Sequence, residues 1–234
     1  MEGRRRVKEQ LKKMGSFEYA QTSFSYMVND TGEERFVGVP EQGGRDVISA
    51  DPLGPGTVYA GAVSGDGVAG LYRVEVSLSA GSGKLKAAGG ITGGIKESVS
   101  RAFSYLLANK NAFGVGREVD THDFHVEVID LLGNKVGAEL GIAFFVAVYS
   151  MLRKAPPQAA LVVLGDMSVQ GTVKAARSLV EPLQLAMDNG AKRALIPIEN
   201  KRQFLEVNPD VLERVDPIFY GDIRQAAFKA LGLT

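Results

Sequence analysis

Residues 136–152 read V-G-A-E-L-G-I-A-F-F-V-A-V-Y-S-M-L. From Ala138 to Leu152 the run is apolar nearly all round, the pattern of a helix enclosed by protein rather than half in water. Its longest apolar piece, Leu140–Tyr149, is too short to cross a bilayer, and Pro156-Pro157 soon follow. The flanking sequence supplies strands. Phe124–Ile129 alternates apolar and polar residues on the upstream side, and Ala160–Leu164 is a short buried strand downstream.

Further out, the same alternation of strand and helix holds. Val58–Val63 and Leu71–Leu78 are strand-like, and Lys84–Ala88 reads as a third short strand. Val99, Ala102, Phe103, Leu106 and Leu107 recur at helical spacing, which predicts an amphipathic helix over Lys96–Ala108. Pro182–Asn189 reads as a helix with proline in its first turn and Gly190 past its end. Ala194–Ile198 is another strand, and Asp222 caps a last helix running to Leu231. The class is therefore α/β (α+β). Ahead of it, residues 4–14 (RRRVKEQLKKM) read as a short charged helix and 17–40 as a hairpin turning at Asp30-Thr31-Gly32. Residues 41–56, rich in Gly, Pro and Asp, read as a linker.

The chain has 234 residues, 45% of them hydrophobic, enough for one sizeable core. Its 27 basic and 27 acidic residues cancel, so no global charge draws it to nucleic acid or an anionic membrane. It has no cysteine, which excludes disulfides and thiolate metal sites. The basic start is followed by no apolar segment of signal-peptide type. A soluble, cytoplasmic protein with no membrane contact is expected.

Two short motifs invite functional readings and fail. A-G-S-G-K-L, Ala80–Leu85, has the G-K of a phosphate loop, but Leu78 and Leu85 stand where that motif needs Gly and Ser or Thr. A tight hairpin is the expectation there. His122 and His125, the only histidines, are three apart in a strand and point to opposite faces, so they do not share a metal. Asp120, Asp123, Glu127 and Asp130 around them are expected at solvated strand edges or in ion pairs. No cofactor or metal is expected in this chain.

The segment Gly165–Pro182, G-D-M-S-V-Q-G-T-V-K-A-A-R-S-L-V-E-P, decides the family reading together with V-G-A-E-L-G. The pair resembles two signatures of the proteolytic domain of Lon, an ATP-dependent Ser–Lys protease family: D-G-P-S-A-G, which carries the nucleophile, and G-E-I-T-L-R-G-x-V-L-P-I-G-G-L-K-E-K, whose first lysine is the base. Three further segments are similar in the same order. Lys96-Glu97-Ser98 matches the M-K-E-S helix, Asp123–Val128 the D-I-H-I-H-V strand, and Gly190–Arg202 the G-I-K-x-V-L-I-P-x-E-N-K-R run. The resemblance implies a Lon proteolytic-domain fold, of the ribosomal protein S5 domain 2 type, over 57–234. Residues 16–56 are then a hairpin and linker, and 1–15 the helical tail of a preceding AAA+ module. P-E-Q-G-G-R-D-V-I-S and V-D-P-I-F-Y narrow the likeness to the Lon-related AAA+ proteins of BREX phage-defence systems. That narrower likeness implies a hexameric ring or double ring, DNA engagement by the full-length protein, other BREX components as partners, and ATP with magnesium only in the motor module.

Laid over the signatures without gaps, the nucleophile position falls on Glu139 and the base position on Val180. A Ser–Lys protease needs a hydroxyl and a neutral amine in reach of it, and neither residue supplies one. Between Lys135 and Phe145 there is no Ser or Thr. The expectation is a protease fold without its dyad, kept for assembly, with Glu139 paired to Lys135 or facing solvent. The alternative is an active ATP-dependent peptidase with a displaced dyad, for which Ser168 and Lys174 are the rescue candidates and Lys135 and Ser178 lie near.

Overall fold

The computed structural model of the protein describes residues 23–27, 34–38, 47–88, 93–133 and 139–233. The helix expected over 4–14 and the loop residues Lys135–Ala138 lie outside that set. The chain divides into two units, Met1–Val47 and Ile48–Thr234. In the first, β1 (Ser23–Met27) pairs antiparallel with β2 (Glu34–Gly38), with Phe24 opposite Val37. The alternation of Phe24 and Tyr26 predicts the first of these strands; the turn expected at Asp30-Thr31-Gly32 lies outside the described residues.

The second unit is built on a seven-stranded mixed sheet. Its strands are β3 (Thr57–Val63), β4 (Ala69–Ala80), β5 (Leu85–Ala88), β6 (His122–Asp130), β7 (Leu161–Val163), β10 (Arg193–Pro197) and β11 (Asp216–Tyr220), in the order β11-β10-β7-β3-β4-β6-β5. The half β11-β10-β7-β3 is parallel, while β4 runs antiparallel to both β3 and β6. A separate two-stranded ribbon, β8 (Asp166–Met167) with β9 (Val173–Lys174), follows β7.

Alternation along the strands sends side chains to two cores. Val58, Ala60, Val74, Val76, Phe124 and Val126 face one side. There they meet α1 (Gly93–Asn109), α3 (Gly141–Arg153) and α7 (Ile223–Ala230), while α2 (Gly116–Thr121) adds Val119. Tyr59, Leu71, Val162, Leu164, Ala194 and Ile196 face the other, against α4 (Val180–Asp188) and α6 (Pro209–Leu212). A short α5 (Lys201–Phe204) joins β10 to α6. Apolar residues on both faces are what a sheet covered on both sides requires. Helix α3 accordingly buries eleven of its thirteen residues, from Gly141 to Ser150 and Leu152. Asp222 caps α7 by accepting the Gln225 N–H at 2.8 Å.

Residues 48–56 are tied into this unit. The Ile48 side chain is fully buried and its N–H bonds Asn189 O, and the buried Ser150 Oγ on α3 accepts the Gly56 N–H at 3.1 Å.

The tight hairpin expected at Ala80–Leu85 is not formed. β5 does not pair with β4; β6 lies between them, antiparallel to β4 and parallel to β5. Residues 81–84 therefore pass over the end of β6, and Asp123 organises the crossing. Its Oδ1 accepts the N–H groups of Ser82 at 2.8 Å and Lys84 at 3.0 Å, and its Oδ2 pairs with Lys86 at 3.0 Å. Asp123 is only 7% exposed, so of the two expectations for it the ion pair, here with Lys86, holds and the solvated edge does not. The Ser82 N–H, the Lys86 ammonium and the Lys84 N–H hold its carboxyl well below the usual carboxylate range.

Candidate functional site: a buried carboxylate at the mouth of α3

Helix α3 begins at Gly141, after Leu140, and its first N–H groups need partners. Two come from distant elements. Ser98 on α1 accepts the Leu140 N–H on Oγ at 3.0 Å, and Asp166 on β8 accepts the Gly141 N–H on Oδ1 at 3.1 Å. The same Asp166 oxygen accepts the Ser98 hydroxyl at 2.7 Å. Its other oxygen pairs with Arg101 Nη2 at 2.6 Å and with Lys174 Nζ at 3.4 Å. One carboxylate thus joins α1, α3, β8 and β9.

The local sequence explains the positions. Ser98 and Arg101 are three apart on α1 and so share a face. Asp166 and Lys174 are opposite each other in the β8–β9 ribbon and project to one side. Gly141 must be glycine, because a Cβ there would run into Asp166 Oδ1. Gly165 has φ +103°, and a Cβ there would collide with the hydroxyl of the buried Tyr220, which donates to Leu164 O at 2.7 Å.

Burial would raise the Asp166 pKa. Hydrogen bonds from Ser98 and the Met167 N–H, and the bond and charge of Arg101, outweigh it, so the carboxyl lies below its ordinary value. Asp166 is a carboxylate at neutral pH, with 2% of its side chain exposed.

Around this carboxylate is a cleft of about 20 Å³, room for about one water, bordered by Gly61, Ala62, Glu139, Asp166, Ala176 and Arg177. Glu139 stands at its edge, partly exposed, with Arg177 Nε 3.6 Å away. Val180 is the first residue of α4 and packs against the second core. Ser168 turns back into its own ribbon, where Oγ accepts the Thr172 N–H at 3.0 Å. Lys174 is committed to Asp166. Ser178 bonds Glu181 across the start of α4. Among the described residues no hydrogen bond joins a Ser or Thr hydroxyl to a lysine amine.

This architecture can be compared with known proteins. The model of the Lon protease (S16) C-terminal proteolytic domain matches residues 32–232. The chain belongs to that family. It is 38% identical over 234 residues to the "Lon-like protease BrxL" of Escherichia coli O9:H4 (strain HS), covering 100% of this chain and 34% of that protein. The protein of the same name from Bacillus cereus (strain H3081.97) is 36% identical over 232 residues, 99% of this chain and 34% of its own length. The Lon protease of Buchnera aphidicola is 31% identical over 144 residues, 61% of this chain and 18% of that protein. The chain thus spans about a third of the length of the BrxL relatives.

Within this Lon-type domain, the structure places Glu139 at the α3 mouth but Val180 against the second core. It brings Lys174 to Asp166, and the hydroxyl bonded to that carboxylate is that of Ser98, not Ser168. Sequence reasoning passed over Asp166, Arg101 and Arg177. Asp166 sits inside the G-D-M-S string and Ser98 inside K-E-S, so both lay in segments already singled out. What pairs them is a separation of 68 residues that only folding closes.

The two histidines keep apart: His125 Nε2 lies 2.8 Å from Ser79 Oγ, and His122 Nδ1 lies 2.9 Å from Glu118 O. Among the described residues no group of three His, Asp or Glu could hold a metal ion. No helix among them is long and apolar enough to cross a membrane.

Proposed function

We propose that this Lon-type domain has lost the Ser–Lys dyad and serves as an assembly module of a BREX phage-defence AAA+ protein. The observation that carries the reading is the Glu139–Arg177 ion pair at the mouth of α3. The residue in the nucleophile's place is a carboxylate with a guanidinium beside it. Such a group gives no acyl-enzyme with a peptide, and its negative charge opposes a developing oxyanion. Val180, in the base's place, has no atom that accepts a proton.

The likeness to proteins named Lon-like protease BrxL across the whole chain supports the BREX assignment. In this reading the domain is cytoplasmic and packs in a hexameric ring or double ring behind a motor module. The motor holds ATP and magnesium, and DNA is engaged by the full-length protein.

The alternative is a peptidase that uses Ser168 and Lys174. Lys174 lies on the ribbon that carries Asp166 and Ser168 in the turn joining its two strands, which is the observation in its favour. The deciding experiment incubates the full-length protein with ATP and an unfolded protein substrate, alongside Ser168→Ala and Lys174→Ala. No degradation by any of the three is expected. Degradation that either substitution abolishes would establish the displaced dyad instead.

A further inference from the structure

We infer that Arg177 is a movable bar across the cleft at the α3 mouth. Its side chain pairs with Glu139 on one side and lies against Gly65 on the other, and it shuts the cleft to anything larger than water until the ion pair breaks. The inference deepens the proposed reading of this site and rests on it for the part the cleft plays; the closure itself stands on geometry.

Arg177 Nε lies 3.6 Å from Glu139 Oε2, just ahead of α3. Its Nη1 lies 3.9 Å from the place a Cβ on Gly65 would take, in the turn joining β3 to β4. The guanidinium thus reaches from the start of α3 to the end of β3, two of the elements that border the cleft. The space left holds about one water. The backbone under the bar is anchored on both sides. Buried Asn200 accepts the Ala176 N–H on Oδ1 at 2.8 Å and donates Nδ2–H to Ala176 O at 2.9 Å. Ser178 bonds Glu181 in the first turn of α4. Between these anchors the half-exposed Arg177 side chain is the part that can swing. An ion pair this exposed is weak and screened by salt, as a bar that moves requires. Both of its ends are departures from the Lon signatures. In the ungapped overlay Glu139 falls on the serine and Arg177 on the first glycine of I-G-G-L. A glycine has no side chain to reach across, so the closure belongs to this chain's own residues.

The test uses the absence of cysteine from the chain. Ala62 borders the cleft and is 8% exposed, so Ala62→Cys places a single reporter thiol there. Iodoacetamide, a neutral reagent larger than water, alkylates it: the thiolate sulfur bonds the methylene carbon, iodide leaves, and the thiol proton goes to buffer. The rate is read by intact mass on the whole chain. Labelling of Ala62→Cys is expected to be slow. Adding Glu139→Gln, which frees the bar, is expected to raise the rate up to about fivefold, the population ratio one exposed ion pair sustains. Adding Arg177→Ala, which removes the bar, is expected to raise it roughly tenfold or more, as for an unhindered local opening. Raising sodium chloride to about 1 M, where charges more than about 3 Å apart are screened, should speed labelling of Ala62→Cys but not of Ala62→Cys/Arg177→Ala.

Ala176→Cys, on the opposite side of the cleft, repeats the measurement should Ala62→Cys fold poorly. Val169→Cys, at the exposed turn of the β8–β9 ribbon, is the control for general loosening. A rate that Arg177→Ala leaves unchanged at the cleft overturns the inference, as does an equal rise at Val169→Cys. Failure of the proposed function is a separate result. Degradation that depends on Ser168 or Lys174 would restore the dyad, while the labelling rates still report whether Arg177 bars the cleft.

Discussion

Ser98 donates its hydroxyl to Asp166 at 2.7 Å while accepting the Leu140 N–H at 3.0 Å. The serine is therefore a two-way link between a buried anion and the start of the central helix. Its full burial leaves neither bond open to replacement by water. The stability of the whole α3 end is concentrated in one carboxylate, and that concentration can be measured.

Replacing Asp166 with Ala leaves Arg101 and the Gly141 N–H without their acceptor. A loss of roughly 3 kcal/mol in urea unfolding is expected, the scale for removing one partner of a buried pair. Asp166→Asn, which keeps an acceptor oxygen for Ser98, should lose less.

Acid should act through the same group. The folded Asp166 pKa lies below its unfolded value, about 3.9 for an aspartate. Its stabilising contribution is complete above that unfolded value and is lost as pH falls through the folded pKa. Asp123 is shifted the same way and adds to the same window. The urea midpoint should fall steeply below about pH 4, and Asp166→Asn should flatten that fall.

Glu139 and Arg177 should behave differently. Their side chains are 37% and 56% exposed and 3.6 Å apart. Exposed pairs of this kind contribute about 1 kcal/mol or less. Glu139→Ala and Arg177→Ala should each leave the urea midpoint close to that of the unmodified chain. A loss of several kcal/mol from either would mean the pair is structural.

Ser150 is the quieter anchor. It is buried on α3, accepts the Gly56 N–H and donates to Ala155 O at 2.6 Å. Ser150→Ala orphans both, and about 1–3 kcal/mol should be lost. Faster hydrogen exchange at Gly56 would locate the damage.

The elements that sequence revealed are those whose pattern is local. The apolar run from Leu140, the alternation of Phe124 and Val126, and the Asp222 cap all carry their signal within a few residues. Partner choice carries none. Asp166 finds Arg101 across 65 residues, and Arg177 reaches Glu139 from the other side of the cleft. The ribbon β8–β9, with two residues per strand, is too short for a period to show. β11 hides because Pro217 lies within it, which its place at the sheet edge permits. The crossing at 81–84 is hidden in the sequence for a related reason. A glycine-rich turn between strands looks the same whether the strands become neighbours or admit a third between them.

That crossing has one more consequence. The loop over β6 shares with phosphate loops the habit of pointing backbone N–H groups at an anion, yet its anion is covalently its own. Asp123 neutralises the Ser82 and Lys84 donors and the Lys86 charge from within. The loop is electrically self-contained: a nucleotide or phosphate arriving from solution would have to evict a tethered competitor present at enormous local concentration.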